Sequence, residues 1–159
     1  MISRKYPSTR LRRLRQSESI IDLTSECTLT KNDLIQPVFV KEGLSDKEPI
    51  ESMPGIFRFG EDSVLKEIEE ISQLGIRAIA IFPVIDPSKK DSKGTEATKR
   101  DNFISRVLIS IKSKFPDMLV IADVALDPYT DHGHDGILEN NKILNDQTLD
   151  VLAEQSLVL

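Results

Sequence analysis

Three apolar runs, each leading into a polar loop and then an amphipathic segment, constrain this chain more than any other feature. They are "LIQPVFV" (34–40), "IRAIAIFPVI" (76–85) and "MLVIADVAL" (118–126). The second is apolar at nearly every position, the pattern of a strand covered on both faces in a parallel sheet under helices. Between the runs, Val64, Leu65, Ile68, Ile71 and Leu74 recur at helical spacing, and so do Phe103, Val107, Ile111 and Phe115. Acids crowd the first turn of the first helix and Gly75 stands just past its end. Pro116 stops the second. A third helix is expected from near Asp146, with Leu149, Leu152, Ala153 and Leu157 as its stripe. Strand, helix, strand, helix, strand, helix predicts an α/β fold with parallel strands.

The turns from helix to strand are short, and the loops from strand to helix are long and polar. In such folds the site lies at the C-terminal ends of the strands. No GxGxxG or Walker sequence follows a strand, so a dinucleotide site is not expected. Pro37 is awkward inside the first strand, because it donates no ladder hydrogen bond. Residues 41–60 read as a loop punctuated by Gly43, Pro49, Pro54, Gly55 and Gly60. The lysine-rich loop from Asp86 to Arg100 reads either as a site wall or lid or as solvated surface. Three strands cannot close a barrel and leave two bare edges. The final "SLVL" carries no cap, so the expectation is a truncated architecture.

Six of the 21 basic residues, Arg4, Lys5, Arg10, Arg12, Arg13 and Arg15, fall in the first fifteen positions, with no acid among them. All 26 acids lie beyond, on a chain of net charge −5. A basic arm (1–33) on an acidic body (34–159) points to an intramolecular or intersubunit contact. Nucleic-acid binding is disfavoured, since the body would repel phosphates. The arm imitates an organelle transit peptide but lacks a secretory core, and a cytoplasmic location is the default. Cys27 is the sole cysteine, which rules out an intrachain disulfide. No apolar run approaches a membrane span. With 39% hydrophobic and 30% charged residues the composition is that of a soluble globular chain.

The chemistry concentrates in "DVALDPYTDHGHDG" (123–136), which holds Asp123, Asp127, Asp131, Asp135 and both histidines. The four-residue rhythm is no helix face, because Pro128, Gly133 and Gly136 break it. An EF-hand fails, since Gly133 stands where a third-position ligand is needed. A structural zinc site is not supported: His132 and His134 are too closely spaced to chelate easily, and no cysteine is present. A strand-end carboxylate cluster could hold magnesium with several waters, or tune an amine. The alternative is a polar loop whose aspartates and glycines serve turns.

This segment resembles the signature of the delta-aminolevulinic acid dehydratase (porphobilinogen synthase) family. "LIQPVFVKEG", "EPIESMPGIFRFG", "LGIRAIAIFPVIDP" and "ILNDQTLDVLAEQSL" follow the family's order, and the resemblance runs from about Arg10 to the end. It implies a (β/α)8 TIM barrel, of which this chain holds about the first three βα units, with an N-terminal arm that wraps a neighbouring subunit in an octamer. The implied reaction condenses two 5-aminolevulinate molecules to porphobilinogen in tetrapyrrole synthesis. Zinc-dependent members carry three cysteines where this chain has Ala125, Asp127 and Asp135, so the resemblance is to the aspartate-rich branch. That branch implies magnesium rather than zinc, as hard oxygen donors also do. Asp123 matches the aspartate near the Schiff-base lysines; Asp127 and Asp135 would help polarise the second substrate. His134 matches an accessory-metal position of some zinc members, and both histidines are taken as loop residues. The family's two Schiff-base lysines lie on later strands, while the lysines here fall in the arm, surface loops and helices. The chain alone is therefore expected to be inactive. Two other readings remain: a non-catalytic half-barrel that pairs with itself or with a second half, and a magnesium-binding module.

Overall fold

The computed structural model describes residues 5, 7–9 and 12–159. Arg4 and Arg10 of the basic arm lie outside them. The chain divides into two units, 1–30 and 31–159. In the first, a 3-10 turn at Arg13–Arg15 precedes α1 (Glu18–Thr24), whose N-cap Ser17 accepts from the Ile20 N–H.

The second unit is built on a five-stranded sheet. Its strands are β1 (Gln36–Lys41), β2 (Lys47–Pro49), β3 (Phe57–Phe59), β4 (Ala78–Val84) and β5 (Leu119–Ala122), in the order β2-β3-β1-β4-β5. β1, β4 and β5 are parallel, joined by α2 (Ser63–Gln73) and α3 (Phe103–Lys114). This is the alternation the apolar runs predict. β2 and β3 were not expected in what reads as a loop. They are three residues each, and β2 ends at Pro49, whose missing N–H is tolerated on an edge strand. Pro37 has a related explanation. On the side of β1 away from β4, β3 reaches only Phe39 and Val40, so Pro37 faces no second ladder partner there.

Period-two alternation sorts the strands into two faces. Val38, Val40, Ile79 and Ile81 point to the helix side and are buried against Val64, Ile68 and Ile71 of α2 and Phe103, Val107 and Ile111 of α3. The opposite face is less covered. Phe39 and Phe82 stack there with ring centroids 5.6 Å apart, but Leu119 remains 60% exposed and Ile121 38%. The third apolar run reads in sequence as a buried strand. It is an edge strand whose inner side is open.

The helix ends differ from expectation in detail. No acid lies in the first turn of α2: Glu61 and Asp62 precede it, and the N-cap Asp62 makes no side-chain capping bond. Leu74 lies past the helix and is exposed, while Gly75 takes φ +84°, a conformation that favours glycine. Asn102 caps α3 by accepting from the Ser105 N–H at 2.9 Å. The largest correction is the inward face of α4 (Asn145–Val158). Its stripe was expected to bury Leu149, Leu152, Ala153 and Leu157. Leu152 does pack against the core, beside Val151, but Leu149, Ala153 and Leu157 are exposed and the two buried residues are Thr148 and Gln155. A two-stranded hairpin precedes it, β6 (Leu138–Glu139) and β7 (Lys142–Ile143). Asn140 and Asn141 form its turn at φ 49° and 60°, the left-handed pair that short hairpins demand. Among the described residues no helix is long and apolar enough to cross a membrane.

Two isoleucines of α3 test the face assignment. Ile111→Ala, at a fully buried position, should cost about 2–5 kcal/mol of unfolding free energy. Ile109→Ala, on the exposed face of the same helix, should stay within about 0.5 kcal/mol. Urea unfolding of both variants measures the contrast.

Candidate active site

The parallel ladder brings the ends of β1, β4 and β5 to one side of the sheet, and the polar loops leave from there. Asp123 is the first residue past β5 and continues the alternation of Leu119 and Ile121, on the open face. Asp127 and Asp135 follow on the loop. Asp135 is tied down: its Oδ1 accepts the Leu126 N–H at 2.6 Å. Asp127 keeps solvent contact, yet its carboxyl is raised above the ordinary range. Partial loss of solvation is the largest cause, followed by repulsion from Asp135 and then Asp123. A bond from its own backbone and the positive charge of Lys90 act the other way. The surroundings of Asp127 thus favour its protonated form.

The histidines serve the loop. His132 Nδ1 receives the His134 N–H at 3.1 Å, and His132 Nε2 lies 3.3 Å from the Ser92 carbonyl. Thr130 Oγ1 donates to the His134 carbonyl.

The loop after β4 is not simply solvated surface. Residues Asp91 and Thr130 form a parallel β-bridge. Asp91 N–H donates to the Tyr129 carbonyl, and the Asp131 N–H donates to the Asp91 carbonyl at 3.1 Å. The Asp91 carboxylate accepts from the Lys93 and Thr95 N–H groups. Burial pushes that carboxyl up, but these backbone donors outweigh it and hold it below the usual range. Next to the bridge, Glu96 is buried and ion-paired to Lys99 at 2.7 Å and Lys89 at 3.8 Å. Lys89 also pairs with Glu42, just past β1, at 2.5 Å. The ends of all three parallel strands are therefore connected through side chains and one bridge. Sequence reasoning missed Glu42 and the Asp91 backbone, whose partners Lys89 and the Tyr129–Asp131 segment are distant in sequence, and Glu96, whose lysine partners are near but whose burial is set by the fold.

Lys41 is a second correction. It is the last residue of β1, a strand end, where no lysine was expected. Its ammonium is held by Glu48 at 2.8 Å, and β4 lies between β1 and β5 in the sheet. It does not join Asp123.

Parallel strands, helices on one face and chemistry-bearing loops at the strand ends define part of a (β/α)8 barrel. A model of the family described as "Delta-aminolevulinic acid dehydratase" matches residues 8–159. The delta-aminolevulinic acid dehydratase of Chlamydia pneumoniae is 45% identical over 142 residues, covering 89% of this chain and 43% of that protein. That of Methanothermus sociabilis is 43% identical over 153 residues, covering 96% and 47%. The crystal structure of the Toxoplasma gondii enzyme in complex with the reaction product porphobilinogen superposes with a TM-score of 0.89 at 37% identity, over 94% of this chain and 43% of that one. The chain belongs to the delta-aminolevulinic acid dehydratase family. It spans a little under half the length of these relatives.

Ala125, Asp127 and Asp135 stand where the sequence resemblance implies zinc cysteines in some relatives. Among the described residues no three His, Cys, Asp or Glu side chains come together as a metal-ligand set. Asp135 is already committed to a backbone N–H, and Ala125 offers no ligand atom. The loop's own side chains do not fit a metal.

Asp135→Asn separates charge from geometry, since the amide oxygen can still accept from Leu126. Removing the repulsion should lower the titration midpoint of Asp127 toward the ordinary carboxylate range of about 4. The side-chain carbon shift of Asp127, followed by NMR against pH, reads the change. A midpoint that rises or stays put would contradict the assigned cause.

Proposed function

We propose that these residues form the acidic wall of a porphobilinogen synthase site, in a protein that condenses two 5-aminolevulinate molecules to porphobilinogen. The observation that carries this is Asp123 at the end of β5, inside a stretch whose family match covers nearly the whole chain. Its carboxylate would face a protonated imine formed on a lysine of the longer protein and stabilise that charge. Asp127, with its raised carboxyl, would exchange a proton with the second substrate's amine or carbonyl. Asp135 would act mainly by shaping the loop. Magnesium is assigned to the longer enzyme, away from these three carboxylates, and zinc is not assigned. We place the protein in the cytoplasm and give the basic arm a role in homo-oligomer assembly, on the strength of its charge contrast with the body.

A second reading has its own support. Leu119, Ile121, Leu149 and Leu157 leave apolar surface uncovered on β5 and α4. A half-barrel that pairs with another copy would hide it, and sedimentation would show a dimer.

The chain incubated with 5-aminolevulinate should form no porphobilinogen. Co-expressed with the second half of the Methanothermus sociabilis relative, it should do so, and Asp123→Asn should then lower the rate by roughly 10²–10⁴-fold. Turnover by the chain alone would refute its dependence on outside lysines; a silent complemented complex would count against the reaction itself.

A further inference from the structure

Two side chains from distant parts of the chain hold opposite edges of a single peptide group. The Leu126 N–H donates to Asp135 Oδ1 at 2.6 Å, and the carbonyl of that same peptide, belonging to Ala125, accepts from Gln155 Nε2 at 3.0 Å. Ala125, Leu126 and Gln155 are all buried, Gln155 completely. The clamped peptide lies midway between Asp123 and Asp127.

Gln155 is a poor choice for packing alone. Its Oε1 is buried without a hydrogen-bond partner, a desolvation cost that a Leu or Met of similar volume would avoid. α4 turns Leu149 and Leu157 to solvent while turning this amide inward. The orientation of the amide is dictated by its partner, because a carbonyl can only accept. Tyr129, also buried, packs beside it: burial drives the phenol well above its ordinary range, and the Gln155 side chain offsets part of that rise.

We infer that Gln155 is a positioning residue, which reaches from α4 to the Ala125–Leu126 peptide and thereby sets where Asp123 and Asp127 stand relative to each other and to Asp135. The peptide plane turns about one bond on each side, in Ala125 and in Leu126, so holding both its polar edges fixes the orientation of the segment that links the two aspartates. Asp127 is the reporter. The charged groups that act on it are Asp123 and Asp135 from its own loop and Lys90 from the loop after β4. This inference gives a role in the site proposed above and rests on that reading for its catalytic meaning. Its test uses no turnover, so the two can fail separately.

The test is Gln155→Met in the full 159-residue chain, with the Asp127 side-chain carbon titrated by NMR. Loss of the donor leaves the Ala125 carbonyl buried and unpaired, so the loop should relax. The Asp127 midpoint should then fall by about half a pH unit or more as it regains water and distance from Asp135. A residue that merely packs would lower the unfolding midpoint and leave this titration unmoved. A folded variant with the wild-type Asp127 midpoint overturns the inference. Should the variant not fold, the wild-type chain decides. A through-hydrogen-bond coupling between the Gln155 side-chain nitrogen and the Ala125 carbonyl carbon supports the clamp. Its absence, with a fast-exchanging Gln155 amide, refutes it.

Discussion

The rest of the structure depends on the parallel ladder that β4 makes with β1 on one side and β5 on the other. Six register pairs tie β4 to β1, Gln36 opposite Ile79 through Lys41 opposite Val84, and four tie it to β5. Because the pairs are parallel, all three strands end on the same side. Residues that are far apart in sequence, Glu42, the Asp86–Arg100 loop and Asp123, are thereby brought to one rim. The α2 and α3 crossovers press Ile68, Val107 and Ile111 onto one face only. The other face keeps Phe39, Phe82, Leu119 and Ile121 partly open, and Asp123 extends from that face. An α/β layer closed on both sides would have buried Asp123, and a buried, unpaired carboxylate is costly.

On this rim the loops also hold one another. Asp91 is the joint. Its backbone bridges to the Tyr129–Asp131 segment, and its carboxylate folds its own loop by accepting from Lys93 and Thr95. Gly94 beside it sits at φ +65° with a virtual Cβ 3.4–3.6 Å from Leu126, Tyr129 and Thr130. A side chain there would be strained by the backbone conformation before it met a neighbour. Glu96 completes the arrangement from below, buried but carrying two lysine partners, the condition under which a charge can be interred.

What the sequence made legible follows from local physics. Period 3.6 found α2 and α3, continuous apolarity found β1, β4 and β5, and Gly75 marked the end of a helix. Asp123 as a strand-end residue followed from the same reasoning. β2 and β3 escaped because three residues carry no readable period, and Pro49 with two glycines nearby argues for a loop. The Asn140–Asn141 turn was a readable hairpin signal, though its strands are two residues each. α4 was found where expected, and Leu152 packs against the core, but the rest of its inward face was misread for a different reason. Its apolar residues are spread around the helix, so periodicity cannot say which side meets the body. Here tertiary contacts chose the face with Thr148 and Gln155, through bonds to Ile137 and Ala125 that span 11 and 30 residues. No local window contains such a pair.

The same bonds explain how a loop rich in carboxylates stays folded. Asp127 and Asp135 repel each other and offer no cross-link of their own. In this chain Asp127 answers the repulsion by taking up its proton more readily. Asp135 answers it by spending its charge on the Leu126 N–H, a charge-assisted bond of the stronger kind. Ala125, the position without a ligand atom, contributes its carbonyl instead, and Gln155 receives that carbonyl from the far side. The loop is thus cross-linked by two hydrogen bonds to one peptide. Asp127 is not committed in that way, and its raised carboxyl suits the proton exchange proposed for it.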